Sequence, residues 1–145
     1  MSDRIICRKL LSDDEARRAA EREKECLSTA WSFEQIKGLP DYAYYIGGFE
    51  GDMLCGIASM YAIAGEGQIM NVAVSSAFRR KGVAMSLMLS LIEKAKEAKC
   101  ENITLEVAED NISAISLYEK CDFAVVGKRN GFYNGKNALI MEKKL

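Results

Sequence analysis

The sequence predicts a mixed α/β fold: a central, mostly antiparallel sheet flanked by about four helices. Three features of the chain lead there. Strand-like runs with turn residues between them fill residues 42–63 and lead into another at 69–74. Helical apolar spacing occupies residues 82–99 and 111–120, with a strand-like run at 102–108 between them. At 145 residues, 49% hydrophobic and 28% charged, the chain has the size and composition of one globular domain, residues 1–145.

The elements follow in order. Residues 5–7 form a short apolar opening, read as an edge strand. Ser12 and Glu15 stand at capping-box spacing, which starts a helix at Asp13 and carries it to about Cys26. Ser32 and Gln35 repeat the spacing, and Gly38 and Pro40 end that short helix after Ile36. Trp31, just ahead of it, serves as core packing, as a hydrophobic staple or as a wall of a substrate groove. Residues 42–48 and 53–63 flank Glu50-Gly51-Asp52 and read as a β-hairpin. A second turn at 64–67 leads into the strand at 69–74.

The helix at 82–99 is apolar on most sides early and charged later, so its N-terminus is buried and its C-terminus wet. Strand 102–108 alternates Ile103, Leu105 and Val107 with Thr104 and Glu106. Asp110 or Asn111 caps a helix running to Lys120. Residues 123–127 and 138–142 close the chain as strands around a Gly- and Asn-rich loop at 129–137. The predicted order is β-α-α-β-β-β-α-β-α-β-β.

Residues 68–85, QIMNVAVSSAFRRKGVAM, hold the densest chemistry. An apolar strand breaks at Ser75-Ser76, passes Arg79, Arg80 and Lys81, meets Gly82 and enters a helix. The first turn of a helix leaves backbone N–H groups unpaired and carries about half a positive charge. Three cations add to it, and a glycine lets a ligand approach the backbone closely. The stretch reads as a pyrophosphate cradle, although it is neither a P-loop nor a dinucleotide G-x-G-x-x-G motif.

The totals exclude several chemistries. Net charge is −1, so no global basic field points to nucleic acid. No apolar run reaches ~20 residues and no signal-peptide core is present, which gives a cytoplasmic protein with no membrane partner. Five cysteines, odd in number and without a C-x-x-C pair, disfavour structural zinc and a disulfide framework. The absence of histidine removes Ser-His-Asp and Cys-His catalysis and the H-E-x-x-H metal site. Acid–base work falls to carboxylates, tyrosines, a thiol, a lysine or water, and no metal is expected.

Arg79-Arg80-Lys81-Gly82-Val83-Ala84 is similar to the [QR]-x-x-G-x-[GA] motif of the GCN5-related N-acetyltransferases, the GNAT superfamily, and the element order resembles theirs over essentially the whole chain. Within that superfamily four stretches resemble the RimI type, which acetylates the N-terminal alanine of ribosomal protein S18. They are Met70-Asn71-Val72-Ala73-Val74, the cradle, Leu105-Glu106-Val107 with Asn111, and Ala114-Ile115-Ser116-Leu117-Tyr118-Glu119. Trp31-Ser32 also fits. The match departs where Leu-Gly-Phe becomes Cys121-Asp122-Phe123, and aspartate can take the left-handed conformation of that glycine at some cost.

The resemblance implies a sheet whose central strands splay, acetyl-CoA as co-substrate and a peptide N-terminus as acceptor. It implies that the Val72, Ala73 and Val74 backbone pairs with the pantetheine arm like an added strand. Residues 79–85 (Arg79, Arg80, Lys81, Gly82, Val83, Ala84 and Met85) would hold the pyrophosphate. Asn111 caps its helix and bonds the pantetheine amide, or only caps. Glu106 would be the general base and Tyr118 the acid that protonates the leaving thiolate; either could instead be an ordinary solvated glutamate or core aromatic. A tyrosine with a reference pKa near 10 is protonated at pH 7, as an acid must be. Cys121 could form an acyl-enzyme but has no histidine to activate it and reads as packing. A monomer or weak dimer is expected. Two other functions stay open: acetylation of a small amine such as a polyamine, amino acid or aminoglycoside, and coenzyme A binding without catalysis.

Overall fold

The computed structural model describes residues 4–79, 82–133 and 135–145. Among them are seven strands and four helices in the predicted order. The strands are β1 (Ile6–Lys9), β2 (Ala43–Glu50), β3 (Met53–Ile63), β4 (Glu66–Val74), β5 (Asn102–Ala108), β6 (Ala124–Tyr133) and β7 (Lys136–Lys144). The helices are α1 (Asp13–Cys26), α2 (Phe33–Lys37), α3 (Val83–Glu97) and α4 (Ile112–Lys120). The sheet runs β1-β2-β3-β4-β5-β7-β6, and β4 with β5 is its parallel pair. No helix of the described residues is long and apolar enough to cross a membrane.

Local chemistry explains the ends. The two-residue turn between β2 and β3 starts with Gly51 at φ +60°, and Ala64 and Gly65, both at positive φ, join β3 to β4. This moves the start of β4 to Glu66, three residues earlier than the apolar run suggests. Ser32 and Gln35 form the full reciprocal capping box of α2. At α1 only half of one forms. The Glu15 N–H donates to Ser12 Oγ at 3.2 Å, but the Glu15 carboxylate takes the Leu11 N–H and a forked Arg8 guanidinium at 2.9 and 2.8 Å. A charge-assisted bidentate pair outcompetes a neutral amide, and it ties β1 to α1.

The two faces of the sheet carry separate cores. On one, α3 buries Val83, Leu87, Met88, Leu91, Ile92 and Ala95 against Ile46, Met60, Ile103 and Leu105, and α4 adds Tyr118. A side chain such as Leu87, fully enclosed, contributes about 1.5–3 kcal/mol by burial. On the other face α1 and α2 set Ala16, Ala19 and Ile36 on Phe49, Leu54, Ile57 and Ala73. Small residues on α1 let it lie close to the strands.

The last hairpin is longer than its composition suggests. Residues 129–137 are strand rather than loop up to Tyr133 and again from Lys136. The register slips between Arg129 and Tyr133, around Gly131 at φ +65°, whose N–H donates to Asn137 Oδ1 at 3.0 Å. The Gly and Asn residues place an irregularity inside the hairpin instead of ending its strands.

Candidate active site

A gap opens in the middle of the sheet because β4 turns away from β5. The parallel ladder joins Glu66–Gln68 to Asn102–Thr104 and goes no further. Just beyond it, β4 carries a bulge: Ala58 pairs with Val72 and Met60 with Ile69, so Met70 and Asn71 together oppose Ser59. The Asn71 N–H donates to Ser59 Oγ at 3.2 Å, and Ser59 is buried. Val72, Ala73 and Val74 pair with Ala58, Ile57 and Gly56 on the β3 side. Among the described residues no strand lies along their other edge.

At the end of β4 the chain passes through a 3-10 turn, Ser76–Phe78, to Gly82, the N-cap of α3, at φ +79°. That left-handed backbone favours glycine at the start of α3. The Ser86 N–H bonds to Gly82 C=O at 3.0 Å, so the amides of Val83, Ala84 and Met85 precede the helical ladder. Val83 is buried and Ala84 and Met85 are half-buried. Arg79 is exposed; its Nε donates to Val74 C=O at 3.1 Å, and its Nη2 lies 3.8 Å from Cys26 Sγ. Arg80 and Lys81, the other two cations of the sequence-predicted cradle, lie outside the described residues.

On the far side of the gap stands Glu106 of β5. Ile103, Leu105 and Val107 face α3, so alternation turns Glu106 to the α1–α2 face. It is half-buried, its side chain 22% exposed, and it accepts from Arg129 of β6 at 2.9 Å. The guanidinium reaches it across β7, where Glu106 pairs with Ile140 and Arg129 with Ala138. Ala138 is buried and has only a methyl to offer, which leaves room for the arginine to cross. Lys128 with Glu109 and Lys136 with Asp110 continue this line of ion pairs, fastening the β6–β7 hairpin to the end of β5.

Helix α4 supplies the remaining predicted residues. Asn111 is its N-cap, with Oδ1 accepting the Ala114 N–H at 3.3 Å. Tyr118, two turns on, is buried with its ring 6.2 Å from that of Phe123. Asp122 takes φ +68°, the left-handed position a glycine would fill. Cys121 is buried with its Sγ 3.6 Å from Met85 Sδ, and burial pushes its thiol pKa up, away from a reactive thiolate.

Sequence reasoning passed over Glu23. It is wholly buried on α1, on the face that carries Ala16 and Ala19. Its Oε1 accepts the Trp31 N–H and Asn71 Nδ2, both at 2.8 Å, and its Oε2 accepts from Tyr45 Oη at 2.5 Å. Burial raises the carboxyl's pKa against the lowering pull of these three donors. Helical spacing was the available signal, because positions 16, 19 and 23 share one face. Trp31 itself is half-buried and stacks on Tyr61 at 6.3 Å and 17°, with Tyr45 tilted against it at 6.3 Å.

The model of the acetyltransferase (GNAT) family matches residues 8–123. An N-alpha-acetyltransferase of Saccharolobus solfataricus is 31% identical over 117 residues, 79% of this chain and 58% of its own length. A Bacillus subtilis protein provisionally named ribosomal protein bS18-alanine N-acetyltransferase is 31% identical over 102 residues, 69% of this chain and 68% of its own length. The crystal structure of the ribosomal-protein-S18-alanine N-acetyltransferase of Escherichia coli superposes with a TM-score of 0.87 at 21% identity. It covers 97% of this chain and 93% of that one, a likeness of fold.

Proposed function

The chain belongs to the acetyltransferase (GNAT) family, and on that premise we propose that it transfers acetyl from acetyl-CoA to the N-terminal α-amine of a protein. The acceptor we assign is the N-terminal alanine of ribosomal protein S18. One observation carries the reading: β4 leaves β5 after Gln68, and Glu106 stands beside the opening on the face that α1 and α2 cover. The relatives that act on N-terminal amines, by their names, support the choice of acceptor.

Acetyl-CoA supplies an activated thioester. The unpaired edge of Val72, Ala73 and Val74 binds its pantetheine arm by backbone bonds, with Asn111 offering an amide at the far wall. The amides of Val83, Ala84 and Met85, with Gly82 and the cations Arg79, Arg80 and Lys81, hold the pyrophosphate. A strand N–H on the Val72–Val74 edge faces the carbonyl oxygen as negative charge develops on it. Glu106, held by Arg129, takes the proton of the attacking amine, and Tyr118 gives one to the departing sulfur. From reference pKa values an α-amine is about 10% neutral at pH 7 and a lysine only about 0.04%. A carboxylate base therefore suits an N-terminus much better than a lysine side chain.

The test is acetyl transfer to the peptide Ala-Arg-Tyr-Phe-Arg-Arg, alongside the same peptide with a blocked α-amine and spermidine. Transfer to the free peptide alone supports the assignment. Transfer to spermidine alone moves the protein to small amines, and tight acetyl-CoA binding with no transfer makes it a binding protein. The cradle has its own check. Gly82→Val forces a β-branched residue into the left-handed region, at a cost of about 1–2 kcal/mol. It is expected to raise KM for acetyl-CoA while leaving KM for the acceptor where it was, in steady-state assays with each substrate varied.

A further inference from the structure

We propose that Glu23 is a positioning residue for the acceptor: its buried carboxylate fixes the α1–α2 connection, and with it Trp31, over the mouth of the gap. The inference rests on the reading that transfer takes place in that gap. Glu23 is fully enclosed and cannot touch a substrate. What it touches is informative. Through Asn71 it holds the β4 bulge, through Tyr45 it holds β2, and through the Trp31 N–H it holds the connection between the helices. No salt bridge to a cation neutralises it among the described residues.

These three attachments are unequal. Asn71 and Tyr45 sit in strands kept in place by their own ladders, and the Asn71 N–H is also anchored on Ser59. The connection between α1 and α2 has no ladder. Its backbone is tied at one end by the Leu27 N–H to Glu23 C=O and at the other by the Ser32 N–H to Gln35 Oε1, with Trp31 to Glu23 between. Removing the carboxylate therefore frees the connection and leaves the strands.

Where the connection lies gives it a function. Trp31 stacks on Tyr61, Tyr61 pairs with Gln68, and Gln68 pairs with Thr104 at the last rung before the gap. Trp31 packs with the α1–α2 core, on the face to which Glu106 turns. An amine approaching Glu106 from that face passes the indole. A leucine at position 23 would extend the apolar stripe of Ala16 and Ala19 without desolvating a charge, so the carboxylate is better understood as fixing geometry than as adding stability.

The experiment compares Glu23→Ala, Glu23→Gln and Tyr45→Phe with the unaltered protein. It reads KM for each substrate with the peptide of the preceding section, together with emission and acrylamide quenching of Trp31, the single tryptophan. Glu23→Ala is expected to raise KM for the peptide about tenfold or more, the loss of a charge-assisted hydrogen bond, while KM for acetyl-CoA stays put. Trp31 emission shifts red and quenching rises. Glu23→Gln restores both, because its Oε1 accepts from Trp31 and Asn71 while its Nε2 donates to the Tyr45 hydroxyl. If the alanine variant does not fold, Tyr45→Phe carries the test with a smaller change of the same kind.

Equal rises in both KM values, an unchanged peptide KM, or a glutamine variant as impaired as alanine would each overturn the proposal. If the unaltered protein fails to acetylate the peptide, the acceptor assignment is at fault. The fluorescence comparison then still decides whether Glu23 holds the connection.

Discussion

Glu106→Gln is expected to lower kcat/KM for a free peptide amine by about 10²–10⁴-fold, the range for loss of a positioned general base, with thermal stability nearly unchanged. The amide keeps the shape of the side chain and can still accept a hydrogen bond from Arg129, but it cannot take a proton. The lost ion pair matters little to folding, since the Arg129 side chain is 54% exposed and pairs of that kind contribute about 0–1 kcal/mol. Arg129→Ala separates the two functions of the pair. It leaves the base in place without its anchor, so its activity should fall less than that of Glu106→Gln. The check is a steady-state assay of both variants, with circular dichroism to show that each is folded. Full activity in Glu106→Gln would remove Glu106 from the mechanism and leave proton removal to water.

The face that Glu106 takes was legible in the sequence for a simple reason, whereas its assignment as the base came from the family resemblance. Strand alternation with Ile103, Leu105 and Val107 turns Glu106 to the opposite face in any fold that contains β5. The left-handed backbone of Asp122 was legible as well, because the resembling motif has glycine at that position, where φ is +68° here. The partner of Glu106 was not. Arg129 reaches it only because β7 lies between them with an alanine at the crossing point, and local pattern does not encode that register. Glu23 was hidden by a different rule. A glutamate on a helix dense in charges reads as solvated, and its burial is decided by three donors from other elements. The Gly- and Asn-rich stretch at 129–137 misled by composition. Those residues permit a turn, yet pairing with β7 keeps most of the stretch in the sheet. Local periodicity thus carried the elements, and the family resemblance carried the motif residues and their roles. The contacts that orient them are long-range and appear only in three dimensions.

Tyr118→Phe is the second large effect, and it isolates chemistry from packing. The ring lies in the core beside Phe123, so phenylalanine keeps its volume and its apolar contacts and removes only the hydroxyl. KM for acetyl-CoA should hold while kcat falls by about 10²-fold, the lower end of the range for a general acid. The lower end is expected because a thiolate leaves more readily than an alkoxide or an amide anion; a thiol's reference pKa is about 8.5. The double variant with Glu106→Gln sharpens the assignment. Once proton removal from the amine is impaired, nitrogen attack limits the rate, and loss of the acid acts on a step that is no longer limiting. The pair should therefore be little slower than Glu106→Gln alone, well short of the product of the two single effects. Measured kcat values for the four proteins decide this directly. A double variant slowed by the full product would place both proton transfers in one transition state, whereas an unaltered kcat in Tyr118→Phe would mean that the sulfur departs without help from the phenol.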